Sequence, residues 1–454
     1  MASIPADASR VCTCAGQMII RSYNTRKNAY RRLLHQTNQR WASTKSAETI
    51  GVKHLRRCIQ TTGPLTVAEY MREVLTNPVT GYYMNKDVFG TKGDFITSPE
   101  ISQMFGELIA LWVIHEWTQS GWKTPLQVVE LGPGRGTLAD DMLRVFKQFQ
   151  QVIGNSLSLH LVEVSPKMSQ LQEEKLTGQQ QSTTDPGQPA VSQDSLARRD
   201  EGGLGEEKSP PSAYKTSISK TGVPVAWYRS LKDVPKGPTC FIAHEFFDAL
   251  PVHKFQRTQK GWREVLVDVD NNDAGAHHLR FVLSPAPTPA STAYPQDSDS
   301  RDHIEVCPEG GVIVEEMAHR ISQHGGMSLV IDYGHDGTKA DTLRGFKNHQ
   351  LHDVLCEPGT ADLTADVDFS YFRRIVQNKV SPYGPVTQQS FLKAMGIETR
   401  LQMLLKNASG KQRSSLLSGY KMLTDPAQMG ERFKFFAMMP LIPEMQGGPA
   451  GFPP

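Results

Sequence analysis

A glycine-rich stretch that follows an apolar run is the clearest chemical signal in this sequence. Residues 126–131 form the apolar run and include Glu130, and Gly132, Gly134 and Gly136 follow at every second position. Glycine has no Cβ, so the backbone can turn sharply and a ligand can approach it closely. A carboxylate beside such a loop can neutralise the ammonium group of a ligand. The stretch therefore predicts a strand, a loop and a helix that together bind a small molecule.

The spacing of these glycines distinguishes two classes of cofactor. A dinucleotide-binding loop reads G-x-G-x-x-G/A, and its third small residue would fall at position 137, which is Thr137. The tighter G-x-G-x-G pattern is typical of S-adenosylmethionine enzymes, whose cofactor has no pyrophosphate for a helix to bind. Glu163 ends a second apolar run and can accept hydrogen bonds from both ribose hydroxyls, although alone it could equally be a surface carboxylate. We predict a methyltransferase with these cofactor-binding residues: Glu130, Gly132, Gly134, Gly136 and Glu163.

Apolar runs and amphipathic patterns predict the elements that must position these residues. Strands are predicted at residues 126–131, 157–164, 223–227, 240–243, 328–332 and 433–438, with a hairpin that joins 254–256 to 265–268. Helices are predicted at residues 66–75, 98–119, 137–149, 311–323, 388–395 and 412–422, with Ser98 as the N-cap of the second. Strands that alternate with helices indicate an open α/β sheet. The expected fold is a class I methyltransferase core of the seven-strand type.

Composition along the chain predicts its segments. Residues 1–47 contain one acid, Asp7, and eight Lys or Arg residues, which is typical of a mitochondrial transit peptide and predicts a location in the matrix. The alternative is a basic arm that binds nucleic acid, but aromatic residues that would stack on bases are sparse there. The other predicted segments are an N-terminal helical cap (48–120), a methyltransferase core (121–440) with a disordered polar insertion (178–212) and a substrate-side insertion (252–310), and a flexible tail (441–454).

Charge, cysteine content and hydropathy exclude several classes of protein. The formal net charge is +2, so bulk attraction to nucleic acid is not expected. The six cysteines have no paired spacing after residue 47, so we expect reduced thiols and no metal site. No run reaches the roughly 18 apolar residues that a membrane-spanning helix needs. We therefore expect a soluble protein.

Seven motifs distributed over about residues 55–440 resemble the MidA family of mitochondrial and bacterial methyltransferases. The motifs are GDFITSPEIS, VVELGPGRGTL, AHEFFDALPV, IDYGHDG, RGFKNH, DLTADVDF and DPAQMGERFK. The resemblance implies symmetric dimethylation of an arginine on the core complex I subunit that helps form the quinone site, and a role in complex I assembly. It also implies that Asp94 and Glu100 face the cofactor pocket as substrate-facing residues. The chain departs from the family at His244, where many bacterial members have Asn, and in the polar insertion after Leu176.

An arginine substrate would place specific demands on the residues around it. A guanidinium is always protonated near neutral pH, so carboxylates must hold its N–H groups and keep the positive charge on the nitrogen that is not attacked. Glu245 and Asp248 follow a predicted strand, at the edge of the sheet where ligands bind, and are our predicted catalytic residues. Asp248 could instead cap a turn before Pro251. Tyr333 follows the next predicted strand and could shape the substrate slot or serve only in packing.

Two alternative functions remain open at this stage. The first is a non-enzymatic complex I assembly chaperone that retains the methyltransferase fold, although such a protein would not need the glycine loop and both acids. The second is a small-molecule or RNA methyltransferase. That class would be indicated by an Asn-Pro-Pro-Tyr-like tetrapeptide after the fourth strand or by a basic cleft, and the sequence shows neither.

Overall fold

The computed structural model describes residues 49–85, 96–121, 125–154, 157–178, 213–271, 278–295, 299–441 and 447–453. The predicted transit peptide, Asp94 and residues 179–212 of the predicted insertion lie outside these ranges. Among the helices within them, none combines the length and the apolar character needed to cross a membrane.

The described strands, in chain order, are β1 (Leu65–Thr66), β2 (Gln127–Leu131), β3 (Ser158–Val162), β4 (Lys215–Ile218), β5 (Pro224–Tyr228), β6 (Thr239–His244), β7 (His253–Thr258), β8 (Gly261–Val269), β9 (Leu279–Leu283), β10 (His303–Val306), β11 (Gly326–His335), β12 (Arg344–Lys347), β13 (Gln350–His352), β14 (Asp362–Thr364), β15 (Val367–Asp368), β16 (Ser381–Thr387) and β17 (Phe433–Met439).

The described α-helices are α1 (Ile50–Thr62), α2 (Val67–Thr76), α3 (Tyr82–Asn85), α4 (Ser98–Ile101), α5 (Gln103–Gln119), α6 (Thr137–Gln148), α7 (Gln150–Ile153), α8 (Pro166–Thr177), α9 (Pro289–Ala293), α10 (Pro308–His324), α11 (Phe369–Val376), α12 (Gln388–Ala394), α13 (Ile397–Asn407) and α14 (Gly410–Thr424). A 3-10 turn covers Leu231–Asp233 and a π turn covers Pro426–Gly430.

The main sheet has nine strands and carries the predicted cofactor loop. Eight follow the order β16-β17-β11-β6-β2-β3-β5-β4, and β15 pairs with the end of β11. The central strands β11, β6, β2, β3 and β5 are parallel, whereas β17 is antiparallel to both of its neighbours. A parallel sheet must be covered on both faces, and its strands here are almost entirely buried. This topology confirms the predicted class I methyltransferase fold.

Helices cover the two faces of this sheet and form two separate apolar cores. On one face, Phe105 of α5 and Met142 of α6 pack in the same cluster as Ile242 of β6. On the other face, Met317 of α10 and Phe372 of α11 pack with residues of β2 and β6. The carboxyl ends of the parallel strands, where the loops emerge, are thereby held in fixed relative positions.

The first part of the predicted N-terminal cap (α1, β1 and α2) forms one substructure with the predicted substrate-side insertion, whereas α5 of the cap packs on the main sheet. Strands β7 to β10 make an antiparallel sheet, and β1 from the N-terminal segment pairs with β8. The valines of β8 alternate with less buried residues, and this apolar face packs with Leu55 of α1 and Tyr70 of α2. An alternating strand buries its apolar side only against another layer, which α1 and α2 supply.

Three features differ from the sequence-based expectations. The helix predicted over residues 98–119 is two helices, because the chain is extended at Ser102, and its N-cap is Thr97 rather than Ser98. Several elements were not predicted, among them helices α8, α11 and α13, the small sheet of β12 to β14, and the edge strands β4 and β16. Part of the predicted flexible tail is packed, since the Trp112 indole donates to the Ala450 carbonyl at 3.0 Å and the Ala450 amide donates to Glu116 at 2.8 Å. Ala450, within the predicted tail, is therefore packed against α5.

Candidate active site

The glycine loop leaves β2 and enters α6 through three residues in the left-handed region. The φ angles of Gly132, Gly134 and Gly136 are +61°, +53° and +75°. Residues with a Cβ rarely adopt these φ values, so the loop conformation itself requires glycine. A Cβ on Gly132 would also lie 2.6 Å from the Phe246 ring. The loop therefore presents bare backbone at the carboxyl end of β2 and touches the turn that follows β6.

Glu130 provides a test of whether the predicted cofactor fits this loop. The side chain is buried, and its Oε2 atom has no hydrogen-bond partner among the described residues. Burial raises the pKa of this carboxyl to about 8. A buried acceptor without a partner is costly, and the ammonium of an aminoacyl group would satisfy it. The residues present therefore fit the methionine moiety of S-adenosylmethionine.

Glu163 follows β3 directly and is tied to the glycine loop by a residue that was not predicted. Its Oε1 accepts the Ser165 amide at 2.7 Å, and its Oε2 accepts the Gln172 amide nitrogen at 3.0 Å. The same Gln172 nitrogen donates to the Gly134 carbonyl at 2.7 Å, and the Gln172 oxygen accepts the Trp227 indole at 3.0 Å. Burial raises the pKa of Glu163, although the Ser165 and Gln172 hydrogen bonds oppose this. No sequence signal distinguishes Gln172 from the other polar residues of α8.

We expect Glu163→Ala to lower the affinity for the cofactor product S-adenosylhomocysteine about ten- to a hundredfold, because two ribose hydroxyls lose a charged acceptor (about 1.5–3 kcal/mol). Titration calorimetry measures this change. Glu174→Ala on helix α8, which follows Glu163 in the chain, is the control and should leave the affinity unchanged. An affinity within a factor of two of the parent protein in Glu163→Ala would assign the ribose to another residue.

A second group of carboxylates surrounds the turn after β6. Glu245 has a φ of +50°, unusual for a residue with a side chain. The fully buried Asp332, near the end of β11, holds this turn because its Oδ2 accepts three consecutive amides. They belong to Phe246 (3.1 Å), Phe247 (2.8 Å) and Asp248 (3.3 Å). The neighbouring strand thus fixes the backbone that carries both predicted catalytic residues.

The charges around Glu245 make an acidic pocket. Burial raises its pKa well above the usual range, and the neighbouring carboxylates of Asp248, Glu100 and Asp362 raise it further. Asp248 is also buried, and its Oδ2 accepts the hydroxyl of Thr364 at 2.6 Å. We call Glu100, Glu245, Asp248 and Asp362 the acidic cluster. Carboxylates that repel one another in this way are stabilised when a cation binds between them.

Two tyrosines border the acidic cluster. Tyr333 packs against Phe433 with ring centroids 4.0 Å apart, and the Arg344 guanidinium lies 5.7 Å from its ring centroid. The hydroxyl of Tyr83 donates to Asp362 at 2.5 Å, and the Tyr83 carbonyl accepts the Ser165 hydroxyl at 2.9 Å. The short helix α3 thus connects the predicted ribose side of the site to the acidic cluster. Neither Tyr83 nor Asp362 was predicted, because their roles depend on chain segments that meet only in the fold.

Helix α4 connects the acidic cluster to the glycine loop. The Ser98 amide lies 3.4 Å from Glu245 Oε1, and Glu100 lies 3.8 Å from Arg135 of the loop. The structure therefore brings Glu100, Glu245, Asp248 and Tyr333 to one edge of the sheet, next to the loop. The other substrate-facing candidate, Asp94, lies outside the described residues.

Comparisons with known proteins agree with this geometry. Residues 108–386 match the family model described as S-adenosyl-L-methionine-dependent methyltransferase. The chain is 53% identical over 402 residues to a mitochondrial protein arginine methyltransferase NDUFAF7 from Danio rerio, covering 88% of this chain and 89% of the relative. It is 53% identical to the Homo sapiens protein of the same name (87% and 85% covered) and 47% identical to the Drosophila melanogaster homologue (88% and 87% covered).

A solved structure shows the same fold. A Burkholderia thailandensis protein with bound S-adenosylhomocysteine superposes with a TM-score of 0.67, at 21% identity, and covers 97% of this chain and 95% of its own. The family match covers more than half of the chain, and the curated relatives match most of it. The chain therefore belongs to the MidA-like family of S-adenosyl-L-methionine-dependent methyltransferases, and its cofactor is S-adenosyl-L-methionine.

Proposed function

We propose that this chain transfers methyl groups from S-adenosylmethionine to an arginine of a protein. The observation that carries this proposal is the acidic cluster beside the glycine loop. A guanidinium keeps its positive charge at neutral pH, so its arrival relieves the repulsion among these carboxylates. Relatives from Danio rerio and Homo sapiens, both named protein arginine methyltransferases, support the same class of substrate.

The residues of the cluster have separable roles in this proposal. The bound cofactor supplies a methyl group on a sulfonium, and displacement in line with that bond depends on alignment. Glu245 accepts N–H groups of the guanidinium and keeps its positive charge on the nitrogens that are not attacked. Asp248, fixed by Thr364, adds a second negative charge beside it. The raised pKa of Glu245 suits its carboxylate to take the proton that the methylated nitrogen releases.

The proposed product, substrate protein and biological role follow from the resemblance to the MidA family. We propose symmetric dimethylarginine as the product and the core complex I subunit that helps form the quinone site as the substrate, with complex I assembly as the purpose. The first methyl must then turn away so that the other terminal nitrogen can face the sulfonium. Tyr333, at the border of the acidic cluster, would shape the slot that accommodates this methyl.

Labelled S-adenosylmethionine tests the proposal directly. The full-length protein is incubated with a mitochondrial matrix extract that contains partly assembled complex I, and labelled peptides are identified by mass spectrometry. We expect label on one arginine of the quinone-site subunit, first as monomethylarginine and then as symmetric dimethylarginine. Label on nucleic acid or small molecules alone would contradict the protein substrate. Labelled asymmetric dimethylarginine without the symmetric form would contradict the proposed product.

The proposed location is the mitochondrial matrix. Relatives named mitochondrial and the basic, acid-poor segment 1–47 support it. A fusion of residues 1–50 to a fluorescent reporter should enter mitochondria only when the membrane potential is intact, and should be shortened on arrival. Replacement of the arginines in this segment by glutamine is the control and should abolish import. A uniform cytosolic signal from the unmodified fusion would contradict the assignment.

A further inference from the structure

His244 is the last residue of β6 and is enclosed by aromatic side chains. Only 8% of its surface is exposed. Its ring centroid lies 5.1 Å from that of Phe105 and 6.4 Å from that of Phe433, with the Phe433 ring nearly parallel to it. Burial beside these two rings restricts rotation of the imidazole. The direction in which its ring nitrogens point is therefore set by the core and not by solvent.

The Nε2 atom of His244 lies close to the carboxylate of Glu245. The distance from Nε2 to Glu245 Oε1 is 3.3 Å. Nε2 is buried, and in the described part of the chain it has no hydrogen-bond partner, because the contact with Glu245 does not have hydrogen-bond geometry. A neutral imidazole carries its proton on one nitrogen, and a bare Nε2 would direct its lone pair at the carboxylate. A proton on Nε2 turns this contact into an attractive one.

His244 is also in the neutral form. Burial lowers its pKa to about 3, so the ring carries no charge under physiological conditions. A neutral donor beside Glu245 has a specific advantage over a cation. It orients the carboxylate without cancelling the negative charge that a substrate cation would meet.

We infer that His244 is a positioning residue whose Nε2–H group, 3.3 Å from Glu245 Oε1, attracts this oxygen and directs the carboxylate toward the substrate. The Ser98 amide, 3.4 Å away, donates a hydrogen bond to the same oxygen. With both N–H groups next to Oε1, Oε2 is left as the oxygen presented to the guanidinium. The backbone of Glu245 is fixed separately, through the amides that Asp332 binds. This inference rests on the proposed function, since it takes Glu245 as the residue that binds the substrate.

Two substitutions of His244 separate positioning from packing. His244→Leu removes the donor and keeps an apolar side chain, whereas His244→Asn provides an amide N–H that can donate to Glu245. We expect His244→Leu to lower kcat/KM for the protein substrate at least tenfold, with S-adenosylhomocysteine affinity within twofold of the parent. His244→Asn should recover most of the activity. His160→Leu, at a buried histidine of β3 that contacts Tyr228, is the control and should keep the parent kcat/KM.

Either of two kinetic results would overturn the inference. One is a His244→Leu protein with parent kcat/KM. The other is His244→Asn as inactive as His244→Leu, because loss of the donor would then not explain the defect. A parallel loss of S-adenosylhomocysteine affinity and melting temperature in His244→Leu would likewise show a structural role.

Nitrogen NMR of the protein with 15N-labelled histidine gives a readout that does not depend on activity. We expect the His244 signals of a neutral ring with its proton on Nε2, unchanged between pH 6 and 8. A proton on Nδ1, or a charged ring, would overturn the inference while leaving the proposed function intact. A parent protein that methylates no arginine, but shows the expected tautomer, would overturn the proposed function and leave the His244–Glu245 contact established.

Discussion

Glu245→Gln is expected to lower the rate of arginine methylation about a hundredfold or more, with no change in cofactor affinity. Glutamine has the same shape as glutamate and can still accept hydrogen bonds through one oxygen. It lacks the negative charge that keeps the guanidinium charge on the nitrogens that are not attacked. The measurement is single-turnover methylation of the partly assembled complex I subunit, because a free peptide need not present the arginine in the required geometry. Calorimetry with S-adenosylhomocysteine tests the expectation that the cofactor affinity is unchanged.

The pH dependence of the same reaction provides a further check. Glu245 must be ionised to hold the guanidinium, and burial beside the acidic cluster raises its pKa. The rate for the parent protein should therefore fall as the pH drops through this raised pKa, and Glu245→Gln should lack that decline. Glu315→Gln, at an exposed residue of α10, is the matched control and should behave as the parent. An unchanged rate in Glu245→Gln would remove this carboxylate from the mechanism.

Gly134→Val is expected to abolish measurable binding of S-adenosylmethionine in a protein that still folds. The φ of Gly134 is +53°, which a β-branched residue strongly disfavours, so the loop must leave its binding conformation. The added side chain would also occupy the space where we predict that the backbone meets the cofactor. Calorimetry measures the affinity, and circular dichroism with a thermal melt shows that the fold persists.

Gly222→Val is the matched control for Gly134→Val. Gly222 lies in the turn between β4 and β5 with a φ of +88°, and a Cβ there would have no neighbour within 4 Å. The backbone strain is of the same kind, but the position is not in the glycine loop. We expect the parent affinity in Gly222→Val. Undiminished affinity in Gly134→Val would contradict the assignment of the loop.

Local sequence patterns predicted the main elements of the core, because the residues that define each of these elements lie close together in the sequence. The apolar run of β2, the glycines after it and the helix pattern of α6 follow one another within about 25 residues. A short buried strand, a loop that needs left-handed backbone and an amphipathic helix each have a sequence signature of their own. The same reasoning located β3, β6 and β11, and thereby the sheet edge where Glu163, Glu245 and Tyr333 lie.

Helix boundaries and edge strands were predicted less well for a related reason. The interruption at Ser102 leaves no apolar signal, since the residues on both sides fit one continuous helix pattern. The edge strands β4 and β16 are only half buried, so their side chains lack a strong alternation. Trp112 and Glu116 bind the segment around Ala450 across more than 300 residues of sequence, which no local pattern can indicate.

The sequence by itself determined the class of cofactor and the edge of the sheet that would hold it. The tertiary structure alone decided which side chains support those residues. Gln172 links Gly134 to Glu163 only because α8 packs beside the loop, and Asp332 holds the turn of Glu245 only because β11 is the neighbour of β6. The acidic cluster likewise combines four carboxylates from α4, β14 and the turn after β6. Hydrogen bonds and charge interactions depend on distances of a few ångströms, and such distances between remote parts of the chain exist only after it has folded.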